Sequence, residues 1–93
     1  MAHSFLVHNE GDDVGVVTED VTNGQEVIGV FMDSGGEVRL VAGGDIPLGH
    51  KIALRALHAG DDVTEYGTRV AVASADIASG DYVHTHNVRS ARW

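Results

Sequence analysis

The sequence predicts an all-β domain, and three observations support this fold class. Glycine and valine are abundant, proline occurs once, and β-branched residues fall in short runs between turn residues. Helix-forming residues are not grouped at a period of 3.6 residues. A turn motif, Asp-[Ile/Val]-x-x-Gly-x-x-[Val/Ile], recurs along the chain and separates the short runs.

Copies of this motif begin at Asp20, Asp45 and Asp76, and a degenerate copy begins at Ala56. We expect each Asp carboxylate to accept hydrogen bonds from backbone N–H groups two or three residues later in its own turn. The apolar second residue should anchor the turn on the core, and the glycine should adopt a positive φ. The uneven spacing of the copies indicates a reused turn and not a solenoid repeat.

Strands are predicted wherever alternation and β-branching occur between these turns. One competing helix, over Lys51–His58, is cut short by the turn at 56–60, so a strand is predicted there as well. In chain order the predicted strands are Ser4–His8, Val14–Thr18, Glu26–Met32, Glu37–Ala42, Lys51–Arg55, Val63–Tyr66, Val70–Ser74 and Tyr82–Val88.

The length and net charge of the chain limit the kinds of protein that it can be. Ninety-three residues make one domain, predicted over residues 1–88, and the formal net charge of −8 argues against nucleic acid or an anionic membrane surface as a partner. The chain has no cysteine, no signal-peptide pattern and no run approaching the ~20 apolar residues of a membrane span, so we expect a cytoplasmic protein.

Residues 89–93 lack a strand pattern and are predicted to be a C-terminal docking tail. This segment holds Arg89, Arg92 and Trp93. Tryptophan and arginine are enriched among the residues that anchor protein interfaces. We therefore expect these three residues to contact a partner protein.

The most informative stretch runs from Gly80 to Val88. If it is one strand, His84 and His86 project from the same face, because side chains alternate along a strand. Two neighbouring imidazoles can share a metal ion, bind an anionic substrate, or lie exposed to solvent at the end of a strand. The spacing fixes no third metal ligand, so the sequence leaves these possibilities open.

Two further residues, His50 and Lys51, follow the glycine of the same turn type. They predict either a cationic corner that receives an anionic ligand or a solvated start of a strand. If the turns cluster in space, His50 and His84 become neighbours. The acid pairs Asp12-Asp13 and Asp61-Asp62 follow turn glycines, and we interpret them as turn residues and not as acid–base groups.

Three segments together resemble the SAF-type domain of the altronate and galactarate dehydratase family. They are Asp45–Leu54 (DIPLGHKIAL), Tyr66-Gly67 and Val83–Asn87 (VHTHN). The opening Phe5–Val16 and the ending Arg92-Trp93 look most like the small subunits of the branch that eliminates sulfite from sulfolactate. The resemblance covers nearly the whole chain.

The resemblance implies a β-clip fold, in which bent strands double back on themselves, and an enzyme in two parts. The larger part holds most of the active site, and we expect it to be a separate large subunit. Members with this activity are iron-dependent lyases, so we expect Fe²⁺, held mainly by the large subunit, and a small anionic hydroxy-acid substrate. His84 and His86 are the expected catalytic residues and candidate metal ligands, and His50, Lys51 and Asn87 the expected substrate contacts.

The favoured function is therefore the small subunit of a carbon–sulfur lyase that converts sulfolactate to pyruvate and sulfite and is inactive without its large subunit. Two alternatives stay open. One is the small subunit of a sugar-acid dehydratase of the altronate or galactarate type. The other is a non-catalytic β-clip binding module.

Overall fold

The computed structural model describes residues 3–90, and within this range the chain forms nine β-strands and no helix. No helix in this range has the length and hydrophobicity that crossing a membrane requires. The predicted all-β class is confirmed. The strands are β1 (Phe5–Val7), β2 (Val14–Val17), β3 (Glu26–Phe31), β4 (Glu37–Val41), β5 (Lys51–Ala53), β6 (Asp62–Glu65), β7 (Thr68–Ala73), β8 (Tyr82–Val83) and β9 (Val88–Ser90).

The strands form two sheets. The larger sheet has the order β4-β3-β1-β2-β5-β8, and the smaller one has the order β6-β7-β9. Neighbouring strands are antiparallel, except β1 and β3, which are parallel. Short strands that turn back on themselves in curled sheets agree with the predicted β-clip architecture.

Two clusters of buried apolar side chains form the core, and β2 and β5 contribute to both. Val17 and Ile52 pack in the first cluster with Phe5, whereas Val14 and Ala53 pack in the second. Because side chains alternate along a strand, β2 and β5 present opposite faces to the two clusters. The start of β5, where the candidate site begins, is therefore held by both parts of the core.

The four copies of the turn motif form two facing pairs. The backbone of Val21 bridges to Ile46, and that of Leu57 bridges to Ile77. All four of these second-position side chains are buried, with at most 2% of their surface exposed. The prediction that they anchor the turns on the core is confirmed.

The first Asp of the motif acts across each pair of turns, and not within its own turn as predicted. Asp20 accepts a hydrogen bond from the N–H of Leu48 at 2.8 Å, and Asp45 accepts one from the N–H of Asn23 at 2.9 Å. The third Asp reaches the degenerate copy in the same way. The backbone bridges explain this difference, because they bring the N–H groups of the facing turn within reach of each carboxylate.

The predicted strand Tyr82–Val88 is wrong, because a turn interrupts it after Val83. The side-chain oxygen of Asn87 accepts from the N–H of His84 at 3.0 Å, and its side-chain nitrogen donates to the carbonyl of Tyr82 at 2.9 Å. The backbone N–H groups of Asn87 and Val88 both donate to the carbonyl of His84. A short amide side chain thus satisfies the backbone locally and replaces the ladder that a continuous strand would need.

Strand structure continues past the predicted domain end at residue 88. Val88–Ser90 form β9, in which Arg89 pairs with Val72 of β7. The smaller sheet therefore includes the first two residues of the predicted docking tail. Arg92 and Trp93 lie outside the described residues.

Candidate functional site

His50 and His84 lie opposite each other at the open end of the β5–β8 pair. In this antiparallel ladder Lys51 pairs with Val83, and the next position outward places His50 across from His84. Their ring centroids are 5.2 Å apart, with 65° between the ring planes. The predicted proximity of these two histidines is confirmed, and its cause is strand register and not the equivalence of two turns.

Tyr82 connects the histidines, and the sequence analysis missed it. Its hydroxyl lies 2.7 Å from Nδ1 of His50. Its ring stacks on His84, with centroids 5.5 Å apart and 18° between the planes, and meets His86 edge-on at 5.6 Å. No short motif pointed to Tyr82, because its contact with His50 depends on the register between β5 and β8.

The histidines His84 and His86 both contact Tyr82, but not for the predicted reason. Neither lies in a strand, since both belong to the turn that Asn87 closes. Both side chains are exposed, whereas Asn87 is only 7% exposed. The turn therefore presents two imidazoles to solvent from a fixed backbone.

Asn87, predicted to bind substrate, has both ends of its amide engaged by the backbone of this turn. Its polar atoms are therefore used to hold the position of His84 relative to Tyr82. The structure gives Asn87 a positioning role, and its contact with substrate stays a prediction.

The side chain of Lys51 lies apart from that of His50, so the two do not form the cationic corner, which was one of the two possibilities that the sequence left open. The two residues are adjacent in the chain, so the strand directs their side chains to opposite faces. Nζ of Lys51 lies 3.9 Å from Oε1 of Glu65, whose side chain is 10% exposed. Burial raises the pKa of the Glu65 carboxyl, and the Lys51 ammonium opposes this shift without cancelling it.

The pair Lys51 and Glu65 lies at the edge of an open groove of about 440 Å³ between the two sheets. Half of its lining residues are apolar, and most of its lining surface is apolar. Its polar lining residues include Lys51, Glu65, His84, Thr85 and Arg89. His84 is therefore reached both from this groove and from the cluster around Tyr82.

A second cleft, of about 370 Å³, opens on the other side of Tyr82. It is lined by the backbone of Gly43 and Gly44 and by polar side chains that include Asp81, Tyr82 and His86. Asp81 accepts from the N–H of Ala78 at 2.9 Å, which fixes its carboxylate in a turn. The cleft gives a small polar molecule access to Tyr82 and His86 of the cluster.

The interpretation as turn residues holds for Asp12, which accepts from the N–H of Asn9 at 3.2 Å, but not for Asp13, and both carboxylates also bind distant segments. Asp12 accepts from the N–H groups of Tyr66 and Gly67 at 2.9 and 3.0 Å, and Asp13 accepts from Nε of Arg55 at 2.6 Å. Both are at most 5% exposed. These carboxylates join the β6–β7 hairpin to the loop before β2 and are not free for acid–base chemistry.

The described residues do not provide a complete metal site. Within residues 3–90, no three His, Cys, Asp or Glu side chains converge as a set of ligands. This donor set does not fit a whole iron centre. The metal-ligand role of His84 and His86 stays a prediction.

Four side chains can together transfer protons and form hydrogen bonds with an anion. They are His50, Tyr82, His84 and His86. Imidazoles accept and donate protons near neutral pH, and the phenol hydroxyl can orient one of them. We refer to these four residues below as the His–Tyr cluster. They lie on one open edge of the domain, where a second protein surface can cover them.

Comparison with known proteins identifies the family. Residues 3–91 match the model of the altronate/galactarate dehydratase SAF domain. The chain belongs to that family. This SAF domain is also 37% identical over 94 residues to the (2R)-sulfolactate sulfo-lyase subunit alpha of Chromohalobacter salexigens, with all of both chains covered.

Two other relatives show how this SAF domain is used. The (2R)-sulfolactate sulfo-lyase subunit alpha of Paracoccus pantotrophus is 44% identical over 64 residues, which cover 69% of this chain and 96% of that protein. The altronate dehydratase of Bacillus subtilis is 33% identical over 89 residues, which cover 94% of this chain but only 16% of that protein. The same domain thus occurs as a short subunit and as a small part of a longer enzyme.

Proposed function

We propose that this protein is the small subunit of a heteromeric lyase that eliminates sulfite from sulfolactate to give pyruvate. Two relatives bear the name sulfolactate sulfo-lyase subunit alpha, and one of them aligns over the full length of both chains. A chain of this size, in which His84 and His86 of the His–Tyr cluster are exposed, needs a second surface to enclose a substrate. The partner is a large subunit that supplies the rest of the active site.

The reaction is a β-elimination. A base removes the proton from C2, which carries the hydroxyl and carboxylate, and the C3–S bond breaks with its electron pair leaving on sulfite. The product is the enol of pyruvate, which takes a proton at C3 as its hydroxyl loses one. The step needs a base, a group that stabilises the departing sulfite, and a group that stabilises the charge on the carboxylate.

The observation that carries this proposal is the convergence of His50, Tyr82, His84 and His86 on one open edge. His84 and His86 are exposed and reach outward, so they are the residues proposed to act on the substrate or its leaving group. His50 is held by the Tyr82 hydroxyl and contributes a second, oriented imidazole. Lys51 lies on the neighbouring groove, where it can attract the anionic substrate towards His84.

Iron is proposed to belong mainly to the large subunit. The described residues of this chain lack a complete set of ligands, so at most one or two of its histidines could contribute to a shared centre. A metal bound to the substrate carboxylate would stabilise the developing enolate. We further propose that the enzyme works in the cytoplasm. The net charge of −8 supports the proposal that it binds neither nucleic acid nor an anionic membrane surface.

A sugar-acid dehydratase subunit is the second candidate, because altronate dehydratases also match most of this chain. Such an enzyme would begin with the same removal of a proton next to a carboxylate. It would expel water in place of sulfite and give a 2-keto-3-deoxy acid. The two proposals therefore share the His–Tyr cluster and differ in the substrate that the large subunit admits.

The test is to produce this chain with a candidate large subunit from the same genome and to assay the purified complex. Sulfite and pyruvate released in equal amounts from sulfolactate would support the first proposal. Release of a 2-keto-3-deoxy acid from altronate or galactarate, without sulfite release, would support the second. Turnover of sulfolactate by this chain alone would overturn the two-subunit account.

A further inference from the structure

The sixth residue of the turn motif has the same task in three of the four copies. In each of them its side chain accepts a hydrogen bond from the backbone N–H of the third residue. Gln25 caps Thr22 at 3.0 Å, and Asp61 caps His58 at 2.9 Å. Asp81 caps the remaining copy at 2.9 Å. These side chains are thereby confined to their own turns.

The copy that begins at Asp45 is the exception, because its third residue is Pro47 and its sixth is His50. Proline has no backbone N–H, so this turn offers the sixth side chain nothing to cap. The backbone of the turn is otherwise the same. In all four copies the N–H of the sixth residue donates to the carbonyl of the third, at 2.9 to 3.1 Å.

The side chain of His50 therefore starts from the same backbone position as three turn-capping side chains but makes a different contact. Its Nδ1 lies 2.7 Å from the hydroxyl of Tyr82, on the neighbouring strand. Nδ1 of histidine stands at the same distance along the side chain as Oδ of aspartate. With an N–H at position 47, the ring could turn back and accept from it, as Asp61 does in its own turn.

We propose that Pro47 is a positioning residue that keeps the imidazole of His50 in the His–Tyr cluster by withholding the N–H that would compete for it. Only the expected effect of Pro47 on turnover rests on the proposed function. The contact between His50 and Tyr82 can be observed without any reaction. Pro47 is exposed and touches no substrate in this account, so its effect passes through His50.

The first test is the Pro47→Ala variant of the full chain, studied by NMR at a single pH. The parent should show nuclear Overhauser contacts between the rings of His50 and Tyr82, whose centroids are 5.4 Å apart. In Pro47→Ala these contacts should weaken, and a contact between the His50 ring and the amide proton of residue 47 should appear. The matched control is Leu48→Ala in the same turn, whose exposed side chain should be replaceable without changing either contact.

The second test is a double-mutant cycle on unfolding, with Pro47→Ala and His50→Asp. An aspartate at position 50 can cap its turn only when residue 47 has an N–H. The double variant should therefore be more stable than the sum of the two single effects predicts. Its unfolding equilibrium constant should be at least about twofold smaller than the value expected from additivity. Additive effects, together with unchanged His50–Tyr82 contacts in Pro47→Ala, would overturn the proposal.

The third readout is turnover of the reconstituted complex. Pro47→Ala should lower kcat by roughly tenfold through misplacement of His50, with little change in KM. If the complex has no lyase activity but the NMR and stability results hold, the proposed function fails and the role of Pro47 stands. If the complex is active and Pro47→Ala matches the parent in kcat and in NMR contacts, Pro47 has no such role.

Discussion

The hydroxyl of Tyr82 lies 2.7 Å from Nδ1 of His50, across two strands that are far apart in sequence. This contact joins the start of β5 to the start of β8 and fixes which nitrogen of His50 faces the cluster. The relationship makes Tyr82 the centre of the candidate site, because its ring also touches His84 and His86.

Tyr82→Phe should therefore reduce turnover while leaving the fold intact. The ring that packs against the histidines is kept, and only the hydroxyl that orients His50 is lost. We expect kcat of the reconstituted complex to fall roughly tenfold, and the free energy of unfolding to change by only about 1 kcal/mol. The control is Tyr66→Phe, in an exposed ring at the β6–β7 hairpin, which should match the parent. Equal kcat values for the two variants would remove Tyr82 from the site.

The turn before β8 should be far less tolerant of a side chain than its counterpart in the first copy of the motif. Gly80 has φ of +90° and Gly24 has φ of +86°, so an alanine at either is strained by about 1–2 kcal/mol. A Cβ on Gly80 would in addition collide with the carbonyl oxygen of Val41, whereas a Cβ on Gly24 meets no atom within 4 Å. Urea unfolding should show Gly80→Ala to be the more destabilised by at least about 1 kcal/mol. Equal losses of stability in the two variants would mean that the collision between the added Cβ and the carbonyl oxygen of Val41 is relieved without a cost in free energy.

The Glu65 carboxyl should make the protein less stable as the pH rises. Its pKa in the folded chain lies above the ordinary value of 4.5, mainly because burial disfavours the ionised form. Below the unfolded pKa both states are protonated and the penalty is absent. As the pH rises from there through the folded pKa, the penalty grows to its full size.

The free energy of unfolding of Glu65→Gln, minus that of the parent, should therefore be larger at about pH 7.5 than at about pH 4. Urea unfolding of both proteins at both pH values measures this difference. Glu26→Gln is the control, because the Glu26 side chain is 70% exposed and its removal should give no comparable pH-dependent gain. A relative loss of stability for Glu65→Gln at the higher pH would show that the Lys51 pair, and not burial, decides the charge of Glu65.

Binding to the large subunit should depend on Arg89 and on the residues that follow β9. The side chain of Arg89 is exposed beside the groove of about 440 Å³, and Arg92 and Trp93 are of the residue types that anchor interfaces. Arg89→Ala and, separately, removal of residues 91–93 should weaken co-purification with the large subunit without unfolding the domain. Arg39→Ala, on the exposed strand β4, is the matched control. Undiminished co-purification of both variants would place the interface elsewhere.

Much of the fold could be predicted because its signals are local. The positive φ of Gly24, Gly49 and Gly80 follows from a turn motif that can be read in the sequence. The burial of Val21 and Ile46 follows from their place after the motif Asp. These features need only a few consecutive residues, and the structure bears them out.

The errors arose where distant or competing hydrogen bonds decide the outcome. The break after Val83 depends on Asn87, whose amide offers the backbone an alternative to a strand, and alternation of residue types cannot reveal that choice. The separation of Lys51 from His50 follows from alternation itself, which the expectation of a cationic corner overlooked. Tyr82 was missed because its role depends on the register between β5 and β8, which no short motif specifies.

The measurement that tests the account most directly is the rate of sulfite release from sulfolactate by the reconstituted complex carrying His84→Ala or His86→Ala. Each variant should assemble with the large subunit, as judged by gel filtration, and lose ~10²–10⁴-fold in kcat, the usual cost of removing an acid–base group. His58→Ala is the control, since that side chain is 84% exposed and lies outside the cluster, and it should match the parent. If the His84 and His86 variants assemble and release sulfite at the parent rate, the His–Tyr cluster is not part of the active site.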